Sequence, residues 1–223
     1  MTDLIQPIYE DNHLLAINKP SGMLSQGDKT GDEPLIELAK SYIKEKYNKP
    51  GNVFLGLCHR LDRPVSGALL LARTSKALER INRMFQHGEI QKIYWAISHR
   101  QPNKREGRLE QILLKDSHRN MVQVRQELGH GAKQAITEFR VIGSFDTYTL
   151  TELTPHTGRS HQLRVAMQTL NAPILGDLKY GGKAFDPTRI CLHCRQLEFI
   201  HPVTTKKIRI IAPVPDAEPW VYF

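Results

Sequence analysis

A single carboxylate, Asp62, stands between Arg60 and Arg63 in the stretch His59-Arg60-Leu61-Asp62-Arg63-Pro64-Val65-Ser66-Gly67. Pro64 and Gly67 force a loop there. An uncharged run, Ala68-Leu69-Leu70-Leu71-Ala72, follows it. A carboxylate kept ionised by a nearby cation can attack an electrophilic carbon or take a proton. The plainer reading is an Asp that caps a turn or pairs locally with arginine. Two further polar stretches bear on that choice: Gln91-Lys92-Ile93-Tyr94, and Gly158-Arg159-Ser160-His161-Gln162-Leu163-Arg164. Two rival chemistries are weaker. Cys58 precedes His59, but no base-and-orienter set accompanies it. Cys191-Leu192-His193-Cys194 lacks the second ligand pair of a zinc site and reads as core.

These side chains need elements to position them. His13–Lys19 alternates around apolar positions and ends in the turn Lys19-Pro20-Ser21-Gly22. Pro34 opens a helix whose apolar positions Leu35, Ile36, Ala39, Tyr42 and Ile43 follow the helical period. Val53–Leu57 and Ala68–Leu71 read as short buried strands, with Cys58–Gly67 as the loop between them. Thr74 or Ser75 can cap a second helix, which Gly88 ends. That helix has Ala77, Leu78, Ile81, Met84 and Phe85 on its apolar stripe and Lys76, Arg80 and Arg83 outside. Alternation over Ile93–Ile97 gives a strand with Tyr94 and Trp95 on opposite faces. Strands are expected over 120–126, 134–142 and 147–153, with 101–119 and 181–189 as loops. A third helix follows Thr157-Gly158, with Leu163, Ala166, Met167 and Leu170 on one face. Strands over 192–199 and 207–211 close the chain. Many short strands with three helices make an α+β class.

The chain has 223 residues and a formal net charge of +8. Residues 1–58 carry net −2, residues 59–108 net +7, and 109–223 net +3. The middle segment is either a solvated basic face or a footprint for a polyanion such as nucleic acid. With 24% charged and 40% apolar residues, the composition is that of a globular protein. No run approaches the roughly 18 apolar residues of a membrane span. The first residues show no basic start followed by an apolar block, so no secretory signal is expected. Three cysteines, an odd number, exclude a disulfide scaffold and fit the cytoplasm.

Taken in order, these stretches resemble the RluA family of RNA pseudouridine synthases. Asn18-Lys19-Pro20-Ser21-Gly22 resembles the family's first motif, His59–Gly67 its catalytic motif, and Lys92-Ile93-Tyr94 the strand that presents its tyrosine. Thr157–Arg164, Pro173-Ile174-Leu175-Gly176-Asp177, Leu192-His193 and His201-Pro202 resemble later motifs. Val65 stands where the family often has Thr, and Cys194 where a small residue is common. The resemblance implies a single catalytic domain over 1–223, built on a mixed, mainly antiparallel β-sheet with flanking helices. It implies a domain without an S4-type RNA-binding module, because the first motif arrives by residue 18.

Carried over by position, the family's nucleophilic aspartate falls on Asp62, its tyrosine on Tyr94, and the arginine that pairs with the aspartate on Arg164. Arg60 falls on the arginine that displaces the target base. His59, Arg63, Arg159, His161 and Gln162 are expected to support the site or touch RNA. The implied reaction breaks the N1–C1′ bond of uridine, turns the uracil, and joins C5 to C1′. No atoms enter or leave, so no cofactor and no metal are expected. The implied partner is structured ribosomal or transfer RNA, met by a cytoplasmic monomer away from any membrane. Two other classes remain for comparison. An RNA-binding protein without catalysis has no need of Asp62, Tyr94 and Arg164 together. A glycosidase-type hydrolase would need a second carboxylate to direct water, and the Asp62 motif has none.

Overall fold

In the computed structural model, which describes Ile5 and Pro7–Phe223, a strand β1 (Pro7–Glu10) leads into β2 (Leu14–Lys19) and helix α1 (Leu35–Lys46). Residues 1–4 and 6, part of the start examined for a secretory signal, lie outside the described residues. There follow β3 (Gly56–Leu57), β4 (Ser66–Ala72), α2 (Ser75–His87) and β5 (Gln91–Ser98). Next come β6 (Glu106–Asp116), β7 (Met121–Arg125), β8 (Lys133–Phe145), β9 (Tyr148–Pro155) and α3 (Gln162–Thr169). β10 (Leu192–Ile200) and β11 (Lys207–Ile211) complete the set. The class is α+β on a mainly antiparallel sheet. The chain divides into two compact units, 1–91 with 194–214, and 92–193 with 215–223.

In the first unit the strand order is β1–β2–β4–β10, with β3 also on β4 and β11 on β10. β4 is buried along its whole length. An uninterrupted apolar strand of this kind is covered on both faces. Leu14, Leu15, Ile17, Leu69, Leu70, Leu71, Leu35, Ile43 and Ile81 supply the core, so α1 and α2 turn their apolar stripes inward. α2 starts and stops where the sequence places it. The Thr74 hydroxyl accepts from the Ala77 N–H at 3.2 Å, and Gly88 takes the left-handed cap at φ 74°.

The strand expected over Val53–Leu57 is real only at Gly56 and Leu57, which oppose Ala72 and Leu71. That register sets 53–55 against residues 73–75, where the chain has already left the sheet to begin α2. Phe54 is accordingly exposed.

Gly67 has φ +113°, and a Cβ there would drive into the backbone of Cys194 on β10. Gly67→Ala is therefore expected to cost about 2–4 kcal/mol, or about 5–15 °C in Tm. Thermal unfolding followed by circular dichroism checks this, and an unchanged Tm contradicts the close approach.

In the second unit the order is β5–β9–β8–β6–β7, and its register-defined pairs are antiparallel. Most of the segment read as a loop over 101–119 is strand β6, which pairs with β8 from Glu106–Arg140 to Leu113–Lys133. Its exposed and buried positions carry charges at both ends, which hides the strand alternation in the sequence. A small core joins Leu113, Val122, Ala135, Val165 and Tyr180, so α3 packs over the β6–β8 face.

Candidate active site

The first unit holds the Asp62 loop. Its entry is fixed to β4: the Cys58 N–H donates to the Leu70 carbonyl at 3.1 Å, and the Leu70 N–H donates to His59 Nε2 at 3.0 Å. With Nε2 accepting, the His59 imidazole carries its proton on Nδ1, and its ring lies 5.2 Å from that of Phe85. Arg60 is exposed, Leu61 buried and Asp62 half-buried. A turn closes behind the aspartate, with the Val65 N–H donating to the Asp62 carbonyl at 3.0 Å. Arg63 is exposed but engaged. Its Nε donates to the Gly22 carbonyl at 2.9 Å and its Nη2 meets Asp32 at 2.7 Å.

Lys19, which was only one letter of a motif in the sequence, is fully buried in this unit. Its Nζ donates to the carbonyls of Pro20 at 3.0 Å, Met23 at 2.8 Å and Arg63 at 3.2 Å. Three acceptors match the three N–H bonds of an ammonium. Burial pushes the Lys19 pKa down to about 7, Arg63 adds to that shift, and the negative charge of Asp62 opposes it. The Lys19 amine thus stands in the field of Asp62, whose charge and the three carbonyls favour the ammonium form that burial opposes. A lysine at the end of the strand Leu14–Lys19, after the apolar run Leu14–Ile17, was the signal available in the sequence.

Cys58 does not supply a rival nucleophile. Burial pushes its thiol up to about 12, where the thiolate is scarce at neutral pH. Cys191 is pushed up to about 12 in the same way, and both it and Cys194 are buried.

The second unit holds Tyr94 and the start of α3. Tyr94 is buried on β5 opposite Leu153 of β9. Gln162 is 4% exposed, and its amide is saturated. Its Nε2 donates to the Ile136 carbonyl at 3.0 Å and to Thr137 Oγ1 at 2.9 Å, while its Oε1 accepts from Thr157 Oγ1 at 2.7 Å and the Arg159 N–H at 3.0 Å. With its two donors and two acceptor positions all taken, the Gln162 amide braces α3 against β8. Arg159 is exposed, and its Nε donates to the Gln134 carbonyl at 2.9 Å. His161 enters α3 at φ 51°, and its Nδ1 shares a 2.7 Å hydrogen bond with the Tyr180 hydroxyl.

Arg164 has a partner that the sequence reading missed. Its Nε donates to Asp177 Oδ2 and its Nη2 to Oδ1, both at 2.7 Å, in a two-pronged fork. Arg164 is 8% and Asp177 1% exposed. The guanidinium also lies 5.0 Å from the Tyr180 ring centroid. A tight turn around Asp177 makes this possible. A Cβ on Gly182 would press into the Ile174 carbonyl and the Asp177 backbone. The signal for Asp177 was a lone acid closing the apolar run Pro173-Ile174-Leu175-Gly176.

Residues 13–169 match a family model described as RNA pseudouridylate synthase. Ribosomal large subunit pseudouridine synthase C of Vibrio cholerae is 34% identical over 214 residues, covering 93% of this chain and 65% of that protein. Dual-specificity RNA pseudouridine synthase RluA of Pasteurella multocida is 37% identical over 212 residues, covering 92% of this chain and 91% of that protein. Against the first group of relatives, the synthases C, the chain spans 65–66% of their length. Among solved structures, human RNA Pseudouridylate Synthase Domain Containing 4 superposes with a TM-score of 0.79 at 25% identity, covering 94% of this chain and 88% of that one.

Proposed function

The chain belongs to the RNA pseudouridylate synthase family, and we propose that it isomerises uridine within RNA to pseudouridine, with Asp62 as the reacting carboxylate. The observation that carries this reading is the presentation of Asp62. It is half-buried on a loop tied down on both sides and lies in the field of the buried Lys19. Ionised, it can attack C1′ as the N1–C1′ bond breaks and then be displaced as C5 bonds to C1′, or it can take a sugar proton as that bond breaks and return it once C5 has bonded. The C5 proton is lost and N1 gains one, so atoms balance without a co-substrate. Arg164 is the cation assigned to keep Asp62 charged, and its planar fork suits a carboxylate better than lysine would. Tyr94 is assigned to stack on the freed uracil, holding it while it turns, and to relay the C5 proton.

The target must leave its helix first, at a cost of about a few kcal/mol. Arg60, exposed on the loop, is the group assigned to fill the vacated space. Arg63, Arg159 and His161 have bonds within the fold, so their contribution to RNA binding is that of oriented cations and donors. His59 holds the loop. The substrates are structured ribosomal or transfer RNA, met by a cytoplasmic monomer that needs neither metal nor organic cofactor. No helix among the described residues is long and apolar enough to cross a membrane. Pseudouridine mapping of total RNA from cells with and without the gene tests the reading. Loss of one or a few ribosomal or transfer RNA pseudouridines is expected, and an unchanged map overturns it.

The basic segment 59–108 is assigned to the RNA phosphates. On α2, Lys76, Arg80 and Arg83 are exposed. Arg80 donates to the Pro202 carbonyl at 2.9 Å, and Arg83 pairs with Glu79 at 3.0 Å. Surface pairs of this kind contribute about 0–1 kcal/mol, too little to keep either arginine from a phosphate. Replacing all three with Gln should weaken RNA binding and reduce the salt slope of log Kd by up to about 2, at about 0.7 per phosphate. Binding titrations at several salt concentrations check this, and identical slopes remove α2 from the footprint.

A further inference from the structure

The Asp62 loop is bound on both sides by one short segment, the connection that follows β2. Before the aspartate, Ser25 Oγ donates to the Leu61 carbonyl at 2.9 Å and accepts from the Leu61 N–H at 3.3 Å. After it, the Gly22 N–H donates to the Arg63 carbonyl at 2.8 Å, and the Arg63 Nε returns a bond to the Gly22 carbonyl at 2.9 Å. Lys19 Nζ reaches the same Arg63 carbonyl. Ser25 and Leu61 are 5% and 6% exposed, so water does not replace these bonds if they are lost.

The consequence for Asp62 follows from backbone geometry. The Leu61 carbonyl belongs to the peptide plane that enters Asp62, and Ser25 holds that plane. The Asp62 carbonyl belongs to the plane that leaves it, and the Val65 N–H holds that one. Peptide planes are rigid, and only φ and ψ at Asp62 lie between them. With both planes held, the direction of the Asp62 Cα–Cβ bond is set.

We propose that Ser25 is a positioning residue for the isomerisation, its hydroxyl fixing the peptide plane from which the Asp62 carboxylate projects. This rests on Asp62 being the reacting carboxylate. Ser25→Ala removes both bonds and leaves the Leu61 amide and carbonyl free to tilt. Misplacing a reacting group by about 1 Å can cost about 100-fold.

The experiment compares wild type, Ser25→Ala, Ser25→Cys and Ser25→Thr in single-turnover isomerisation at saturating enzyme, with Kd for the same RNA and the folded fraction measured in parallel. The RNA is the transcript whose pseudouridine the mapping identifies. The expected result for Ser25→Ala is a rate about 10–100-fold below wild type per folded molecule, with Kd within about two-fold. Ser25→Thr, which keeps the hydroxyl, restores the rate to within a few-fold. Ser25→Cys keeps the volume but weakens both bonds, shows the same split to a smaller degree, and stands in where the Ala variant does not fold. A rate for Ser25→Ala or Ser25→Cys within two-fold of wild type overturns the proposal. So does a folded Thr variant as slow as the Ala variant, or a loss that lies in Kd alone. Wild-type protein that forms no pseudouridine would instead overturn the functional reading, so the two failures are distinct.

Discussion

Asp62→Asn lowers pseudouridine formation by about 10⁴-fold or more, while affinity for the RNA stays within about three-fold. The amide keeps the size and planarity of the carboxylate but can neither attack C1′ nor hold a proton taken from the sugar. Nothing else in the loop should move. Its entry hangs on His59 and Leu70, its flanks on Ser25, Gly22 and Lys19, and its exit on the Val65 turn. None of those bonds uses the Asp62 side chain. The variant therefore separates chemistry from architecture. Purified wild type and variant are compared by single-turnover formation of pseudouridine, and by binding to the same transcript. A near wild-type rate for Asp62→Asn would remove Asp62 from the reaction. A rate loss accompanied by an equal loss of binding would make Asp62 a contact rather than a reacting group.

The second large effect is on stability. Asp177→Ala is expected to cost about 3–5 kcal/mol, because it removes the buried carboxylate that takes both prongs of the Arg164 guanidinium. For a chain of this size that is about 6–20 °C in Tm. The double variant Arg164→Met with Asp177→Leu should recover most of that loss, since apolar groups of similar volume replace a buried pair at little net cost. It should nevertheless remain inactive, because Arg164 is the cation assigned to Asp62. Thermal melts of the single and double variants measure the coupling. A double variant as unstable as Asp177→Ala would show that the cost comes from the turn around Asp177 and not from the broken Arg164–Asp177 fork. A double variant with normal activity would remove Arg164 from the mechanism.

Much of the site's parts list is legible in the amino-acid order. Asp62 between two arginines in a Pro/Gly loop, the Thr74 and Gly88 boundaries of α2, the alternation that puts Tyr94 and Trp95 on opposite faces of β5, and the apolar run of β4 are all local. Each depends on residues a few positions apart, so side-chain period and turn chemistry suffice. Pairing across long separations is different. β6 is a strand because β8 lies beside it, and its charged ends conceal the alternation that would announce it. Val53–Leu55 carry strand-forming residues but face a stretch where β4 has ended, so register overrules propensity. The same holds for the polar groups. Gln162 is one letter of a motif in the sequence, and Thr137, Ile136, Thr157 and Arg159 converge on its amide only in the folded unit. Asp177 becomes the partner of Arg164, and Ser25 the holder of Leu61, for a like reason. A buried polar group must find a partner, and which partner it finds is decided by the packing of distant segments, a fact that no window of sequence contains.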